Sequence, residues 1–131
     1  LWQTALVLKS DYVPALDSLV LVFEQQGKLA EATALLEQMV KQEQTPERVF
    51  ELGILYTRLG KVDQAVLAFE WVVDREPSSL KARFELVKLY EQVGRLREAL
   101  EQLRIVAQGA PGNQAMEEKV RDLEKKVEKL N

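Results

Sequence analysis

The chain has no histidine and no cysteine. Imidazole and thiolate metal sites, Ser–His and Cys–His nucleophiles, disulfides and a histidine pH switch are therefore excluded. Chemistry would fall to carboxylates, Lys, Tyr or Ser. Acidic pairs such as Glu117 and Glu118 stand on a charged helical stretch, where nothing is expected to move their pKa values toward general acid–base work. No Gly-rich phosphate loop is present. Neither catalysis nor a cofactor is expected. A net charge of -3 gives no global attraction to nucleic acid. No apolar run approaches the roughly 20 residues that span a bilayer, so direct membrane insertion is not expected either.

What remains is the arrangement of the residues, and it is periodic. Shifted by 34 residues, Phe50, Glu51, Leu52, Leu55, Tyr56, Gly60, Ala65 and Pro77 fall on Phe84, Glu85, Leu86, Leu89, Tyr90, Gly94, Ala99 and Pro111. At a spacing of 33, Leu19, Phe23, Gly27 and Ala32 precede Leu52, Tyr56, Gly60 and Ala65. Such a period means stacked supersecondary units, because no single unit buries its apolar face alone. With 131 residues, 47% hydrophobic and 30% charged, the chain is long enough for one ordered domain.

Residues 46–79 show how one unit is built. Thr45 is placed to cap a helix, and Pro46 sits where a missing N–H costs nothing. Val49, Leu52, Leu55, Tyr56 and Leu59 form one helical stripe. Gly60 suits the left-handed position that ends such a helix. Asp63 is expected to cap a second helix with the stripe Ala65, Val66, Phe69, Val72 and Val73. Pro77 stops it, and Ser78 and Ser79 are candidate caps for the next unit. The product is a helical hairpin.

These units resemble the tetratricopeptide repeat. Residues 46–79 read Val49, Leu52-Gly53, Tyr56, Gly60, Ala65, Phe69 and Pro77. Residues 80–113 read Arg83, Leu86-Val87, Tyr90, Gly94, Ala99, Leu103 and Pro111. Residues 13–45 read Leu16, Leu19-Val20, Phe23, Gly27, Ala32 and Leu36, with Gln44 in place of the proline. The family's Trp is absent from all three. Residues 1–12 read as the second helix of a truncated earlier unit, with Trp2 in the aromatic position and Ala5 in the small one. The resemblance implies an all-α fold: a right-handed α-solenoid of antiparallel hairpins, with a leading half-unit, about three full units and a C-terminal capping helix over 114–131.

It also implies a recognition mode. The first helices of successive units line a concave groove that takes a peptide or a helix. Its groove-facing positions are Asp17, Leu21 and Glu24, then Phe50, Ile54 and Thr57, then Phe84, Lys88 and Glu91. The 4 and 3 spacing keeps each trio on one face. Phe50 and Phe84 lie outside the stripe that packs the hairpin, so they either seal the seam between units or anchor a ligand beside Leu21 and Ile54. Lys88 alone does not make the paired Lys and Asn clamp that some relatives use for a chaperone's C-terminal carboxylate. Trp71 lies off the expected buried stripe, either covering a neighbouring unit or exposed on the other side.

Residues 114–131 break the pattern. Asn113 is placed to cap a helix carrying Met116, Val120, Leu123, Val127 and Leu130 at spacings of 4, 3, 4 and 3. Five acidic and five basic residues cover its other faces, with Glu117–Arg121 and Asp122–Lys126 as i,i+4 pairs. The preferred reading is a capping helix. The competing one is self-association through Met116, Val120, Leu123 and Val127, or through Trp2, Leu6 and Leu8 of the severed first helix. A monomer is expected ahead of a homo-oligomer. Charge is graded: residues 13–45 carry -3, 46–79 carry -2 and 80–113 carry +2. A weaker resemblance, through Asp11 to Leu16 and the Gln-rich units, is to repeat tails on bacterial membrane proteins, on either side of that membrane. The expected function is therefore a non-enzymatic module for a protein or peptide ligand.

Overall fold

The computed structural model describes residues 13–130, with side chains from residue 17 onward. Trp2, Leu6, Leu8 and the proposed half-unit lie outside the described residues. Among those residues seven helices follow one another: α1 (Val13–Gln25), α2 (Leu29–Gln42), α3 (Pro46–Arg58), α4 (Val62–Arg75), α5 (Leu80–Gln92), α6 (Leu96–Gln108) and α7 (Gln114–Glu128). There is no strand among them, and the fold class is the all-α helical repeat expected from the period.

One turn recurs in each hairpin and explains why the period is visible. At Gly27 the chain takes φ 77°, Gly27 N–H donates to the Glu24 carbonyl at 3.0 Å, and Lys28 N–H reaches back to the Phe23 carbonyl at 2.8 Å. At Gly60 (φ 79°) the bonds run to Thr57 at 3.1 Å and from Lys61 to Tyr56 at 2.8 Å. At Gly94 (φ 83°) they run to Glu91 at 3.2 Å and from Arg95 to Tyr90 at 2.8 Å. The wrapped-back bonds satisfy carbonyls the helix end leaves open, and a left-handed residue makes them possible. Glycine is there because a Cβ is costly in that conformation.

This turn also corrects the expected cap at Asp63. The next helix begins so soon after the glycine that Lys61 occupies the capping place, its carbonyl accepting from Ala65 N–H at 3.0 Å. Asp63 falls inside the first turn of α4, where its charge meets the positive end of the helix instead. Lys28 and Arg95 hold the equivalent place without a side-chain cap. Of the helices that open a hairpin, α3 and α5 have side-chain caps: Thr45 accepts from Arg48 N–H at 3.3 Å and Ser79, not Ser78, from Ala82 N–H at 3.4 Å. Asn113 accepts from Met116 N–H at 3.2 Å at the start of α7.

The chain divides into two compact units, residues 1–65 and 66–131. In the first, α1 packs on α2 and α2 on α3. Its core holds Val20, Ala32, Leu36, Met39, Val49, Leu52, Leu55 and Tyr56. Thr33 is buried there, its hydroxyl donating to the Leu29 carbonyl at 2.7 Å. In the second, α5 packs on α6 and α6 on α7. Its core holds Phe69, Val72, Leu86, Val87, Leu89, Tyr90, Leu100, Leu103, Val106 and Leu123. The repeat's small position is filled by Ala32, Ala65 and Ala99, each 0% exposed. The expected stripe of α4 shifts slightly: Val73 is only half-buried and Ala68 is buried instead.

Candidate functional site

The outward faces of the first helices carry the candidate residues, and the two units present different surfaces. In the first unit Asp17, Leu21 and Glu24 form one row of α1, a turn apart. Leu21 is 54% exposed, an uncovered aliphatic side chain between two carboxylates. On α3, Phe50 and Ile54 are half-buried. Thr57 is half-buried too, and its hydroxyl donates to the Gly53 carbonyl at 2.9 Å, within its own helix.

Glu51, on α3, stood out in the sequence only as a repeat match. Its carboxyl is held above the usual range, first by partial burial and then by the charges of Asp17 and Glu24, with Arg48 offsetting part of the effect. Arg48 is buried and spends itself on α2's end, its guanidinium 3.2 Å from the Glu43 carbonyl and 3.9 Å from the Glu43 carboxylate. Each helix thus carries one aliphatic side chain among carboxylates of its own, Leu21 between Asp17 and Glu24 on α1 and Ile54 a turn from Glu51 on α3.

In the second unit the corresponding face is already furnished with cations. Phe84 is half-buried, with the Lys88 and Lys119 ammonium groups each 5.3 Å from its ring centroid. Lys88 also pairs with Glu85 at 3.2 Å, and Lys119 reaches Glu91 at 3.8 Å. Phe84, Lys88 and Glu91 therefore form a connected set. Lys119, which completes it from α7, lies outside the family's groove positions and was not foreseen.

A second recurrent feature was also missed, although it shares the period. Tyr56 on α3 donates its hydroxyl to Glu37 on α2, and Tyr90 on α5 donates to Glu70 on α4. One period further, the place of the tyrosine is taken by Glu124 on α7, which accepts from Arg104 on α6 at 2.8 Å. Burial, and then the bond to Glu37, push the Tyr56 phenol up to about 12. Tyr90 is raised by the same causes around Glu70. Arg95 stacks over the Tyr90 ring at 4.7 Å and binds Glu98 through Nε at 2.8 Å, lowering the Glu98 carboxyl. These clasps join helices and leave no proton poised for transfer to a substrate.

The remaining candidates separate by burial. Leu123 is 2% exposed, whereas Met116, Val120 and Val127 are half-buried. The ion pairs of α7 run to other helices, Arg104–Glu124 and Lys119–Glu91, in place of the expected Glu117–Arg121 and Asp122–Lys126 pairs. An exposed i,i+4 pair gains too little to fix two long side chains. Trp71 is half-buried with the Arg75 guanidinium 4.5 Å from its ring centroid. Among the described residues no cluster of acids has the makings of a metal site, and no helix is long and apolar enough to cross a membrane.

Comparison with known proteins agrees with this architecture. Residues 50–114 match the family pattern described as the tetratricopeptide repeat. A tetratricopeptide repeat protein from Parabacteroides merdae superposes with a TM-score of 0.80 at 18% identity, over 88% of this chain and 46% of that one. The chain thus spans under half of that relative's length. The type III secretion chaperone SycD of Yersinia enterocolitica, solved with a peptide of the translocator YopD, gives 0.71 at 18% identity, over 90% and 91% of the two chains. The first tetratricopeptide domain of Spaghetti (RPAP3), bound to the HSP90 peptide SRMEEVD, gives 0.76 at 20% identity, over 90% and 94%. No curated protein matches the sequence. The chain is a tetratricopeptide repeat protein, a member of a generally non-enzymatic protein-interaction family.

Proposed function

We propose that this chain is a non-enzymatic interaction module that binds a peptide or amphipathic helix on the outward faces of its hairpin-opening helices. Asp17, Leu21, Glu24, Phe50, Ile54 and Thr57 serve in the first unit, and Phe84, Lys88 and Glu91 in the second. The observation that carries it is Leu21: an aliphatic side chain 54% exposed, set between Asp17 and Glu24 on its helix. Isolated exposed leucines are ordinary, but one set between acids, with half-buried Ile54 at the equivalent place on α3, has the composition of a docking surface. The peptides in the SycD and RPAP3 structures support the same use of this fold.

The test is substitution of Leu21, Phe50 and Phe84 by Glu, one at a time. Helicity is followed by circular dichroism, and capture of peptides from a displayed random library is scored. Retained helicity with lost capture is expected for Leu21→Glu. Retained capture by all three folded variants would sink the reading. Lost helicity in the Phe variants would assign those rings to packing and leave Leu21 as the deciding residue.

A further inference from the structure

We infer that the groove between α6 and α7 seats an amphipathic helix of a partner protein, packed as α6 itself packs on α5. That helix carries an acid at its start and a Lys or Arg seven residues on, at the places of Arg95 and Gln102 in α6. The surface is separate from the residues proposed above. The groove has a volume of about 320 Å³ and is lined by Arg104, Ala107 and Gln108 of α6 and Glu117, Val120 and Arg121 of α7. The two helices pack on each other, and Arg104 donates to Glu124 across them at 2.8 Å.

The occupant is read from the repeat. Shifted back by 34 residues, the lining becomes Glu70, Val73, Asp74, Arg83, Leu86 and Val87. The caps keep that register, with Ser79 accepting from Ala82 N–H and Asn113 from Met116 N–H. In the upstream set the seat is filled. There α6 packs on α5, the Arg83 guanidinium donates to the Gln102 side chain at 2.8 Å, and Arg95 stands 4.0 Å from Glu70. With α6 in place, Ala82, Leu86 and Val87 are at most 1% exposed. Among the described residues no helix follows α7. Its equivalent Met116 and Val120 are only half-buried, and Arg121 is exposed. Apolar side chains are therefore open where every hairpin in the chain would lay its second helix.

Charge says which helix fits. Both polar contacts of the filled seat change sign in the open one: Arg104 stands for Glu70 and Glu117 for Arg83. Glu70 accepts from Tyr90 and still reaches Arg95, so Arg104, bound to Glu124, has the same room for a second partner. A copy of α6 would bring Arg95 against Arg104. The complementary helix brings an acid there, a Lys or Arg against Glu117, and apolar residues at the places of Ala99, Leu103 and Val106, the buried side of α6.

The experiment titrates two synthetic peptides with the sequence of residues 94–109 into the whole folded chain, each stapled between positions 97 and 101 and checked for helicity. One keeps Arg95 and Gln102; the other carries Arg95→Glu and Gln102→Lys. The substituted peptide is expected to bind about tenfold more tightly, the difference shrinking as salt is raised. Amide shifts in NMR should move at Ala107, Glu117, Val120 and Arg121. Ala107→Arg, which puts a long side chain into the groove while keeping the helix, should weaken binding about tenfold. The triple variant Arg104→Glu, Glu117→Arg, Glu124→Tyr rebuilds the upstream set and should invert the preference between the peptides. Equal affinities, binding by neither peptide, or shifts centred on α5 overturn the inference. A concentration-dependent dimer of the chain alone, removed by Ala107→Arg in light scattering, assigns the groove to a second copy and overturns it too. None of these outcomes bears on the Leu21, Phe50 and Phe84 variants that test the interaction reading above.

Discussion

Tyr56 and Tyr90 each donate a phenolic proton to a glutamate on the preceding helix, and each has its pKa raised by burial and by that carboxylate. A phenol that must stay protonated to hold its partner makes the fold sensitive to alkali. The Tyr56 phenol is held at about 12 in the folded chain against about 10 when unfolded. Its stabilisation is therefore complete below about pH 10 and disappears as pH rises through 12. Tyr56→Phe should cost about 1 kcal/mol near neutral pH, because the hydroxyl is lost but Glu37 is half-buried and regains water. The double variant with Tyr90→Phe should flatten the alkaline limb of a urea-midpoint profile; a limb as steep as wild type would show that the clasps do not create it. The clasps were legible in principle, since Glu37, Glu70 and Arg104 keep the 33 and 34 spacing. They were passed over because polar residues on a helix face look like solvated surface until the neighbouring helix is in place.

At the level of the helices, most of the design could be read directly. Apart from the shift from Val73 to Ala68 in α4, the apolar stripes, Thr45 and Asn113 as caps and glycines at the helix ends appear where one-dimensional rules put them. Asp63 went wrong because a capping rule knows nothing of the preceding turn: the Gly60 wrap hands the capping place to Lys61. Two glycines now separate backbone from space. A Cβ at Gly94 would meet nothing within 4 Å, yet φ is +83°, so Gly94→Ala carries only conformational cost, about 1–2 kcal/mol. At Gly109 the backbone is ordinary, φ -76°, but a Cβ would come within 2.5 Å of Leu80 Cδ1, a flexible side-chain end. Denaturation midpoints should fall clearly for Gly94→Ala and less for Gly109→Ala. The opposite order would mean that packing at Leu80, rather than turn geometry, limits stability.

For the molecule as a whole, the period gave the architecture because packing residues must repeat, whereas the binding proposed above rests on positions that differ between copies. Leu21, Ile54 and Lys88 occupy equivalent places with different chemistry, and only the structure showed that Lys119 reaches the Phe84 ring beside Lys88. The same logic applies to α7. Its spacing of 4 and 3 suits either a cap or a dimer seam, and sequence alone could not choose between them. Leu123 is 2% exposed within the second unit, so a seam using it would have to withdraw it from the chain's own core. Leu123→Ala should therefore cost about 2–4 kcal/mol, while Leu130→Ala, at a site 51% exposed, should cost under about 0.5 kcal/mol. Both variants should remain monomers by light scattering. If α7 were instead a dimer strand, wild type would scatter as a dimer, and Leu123→Ala would shift it to monomer with a midpoint that depends on protein concentration. A concentration-independent drop, confined to Leu123→Ala, assigns the helix to packing within the second unit.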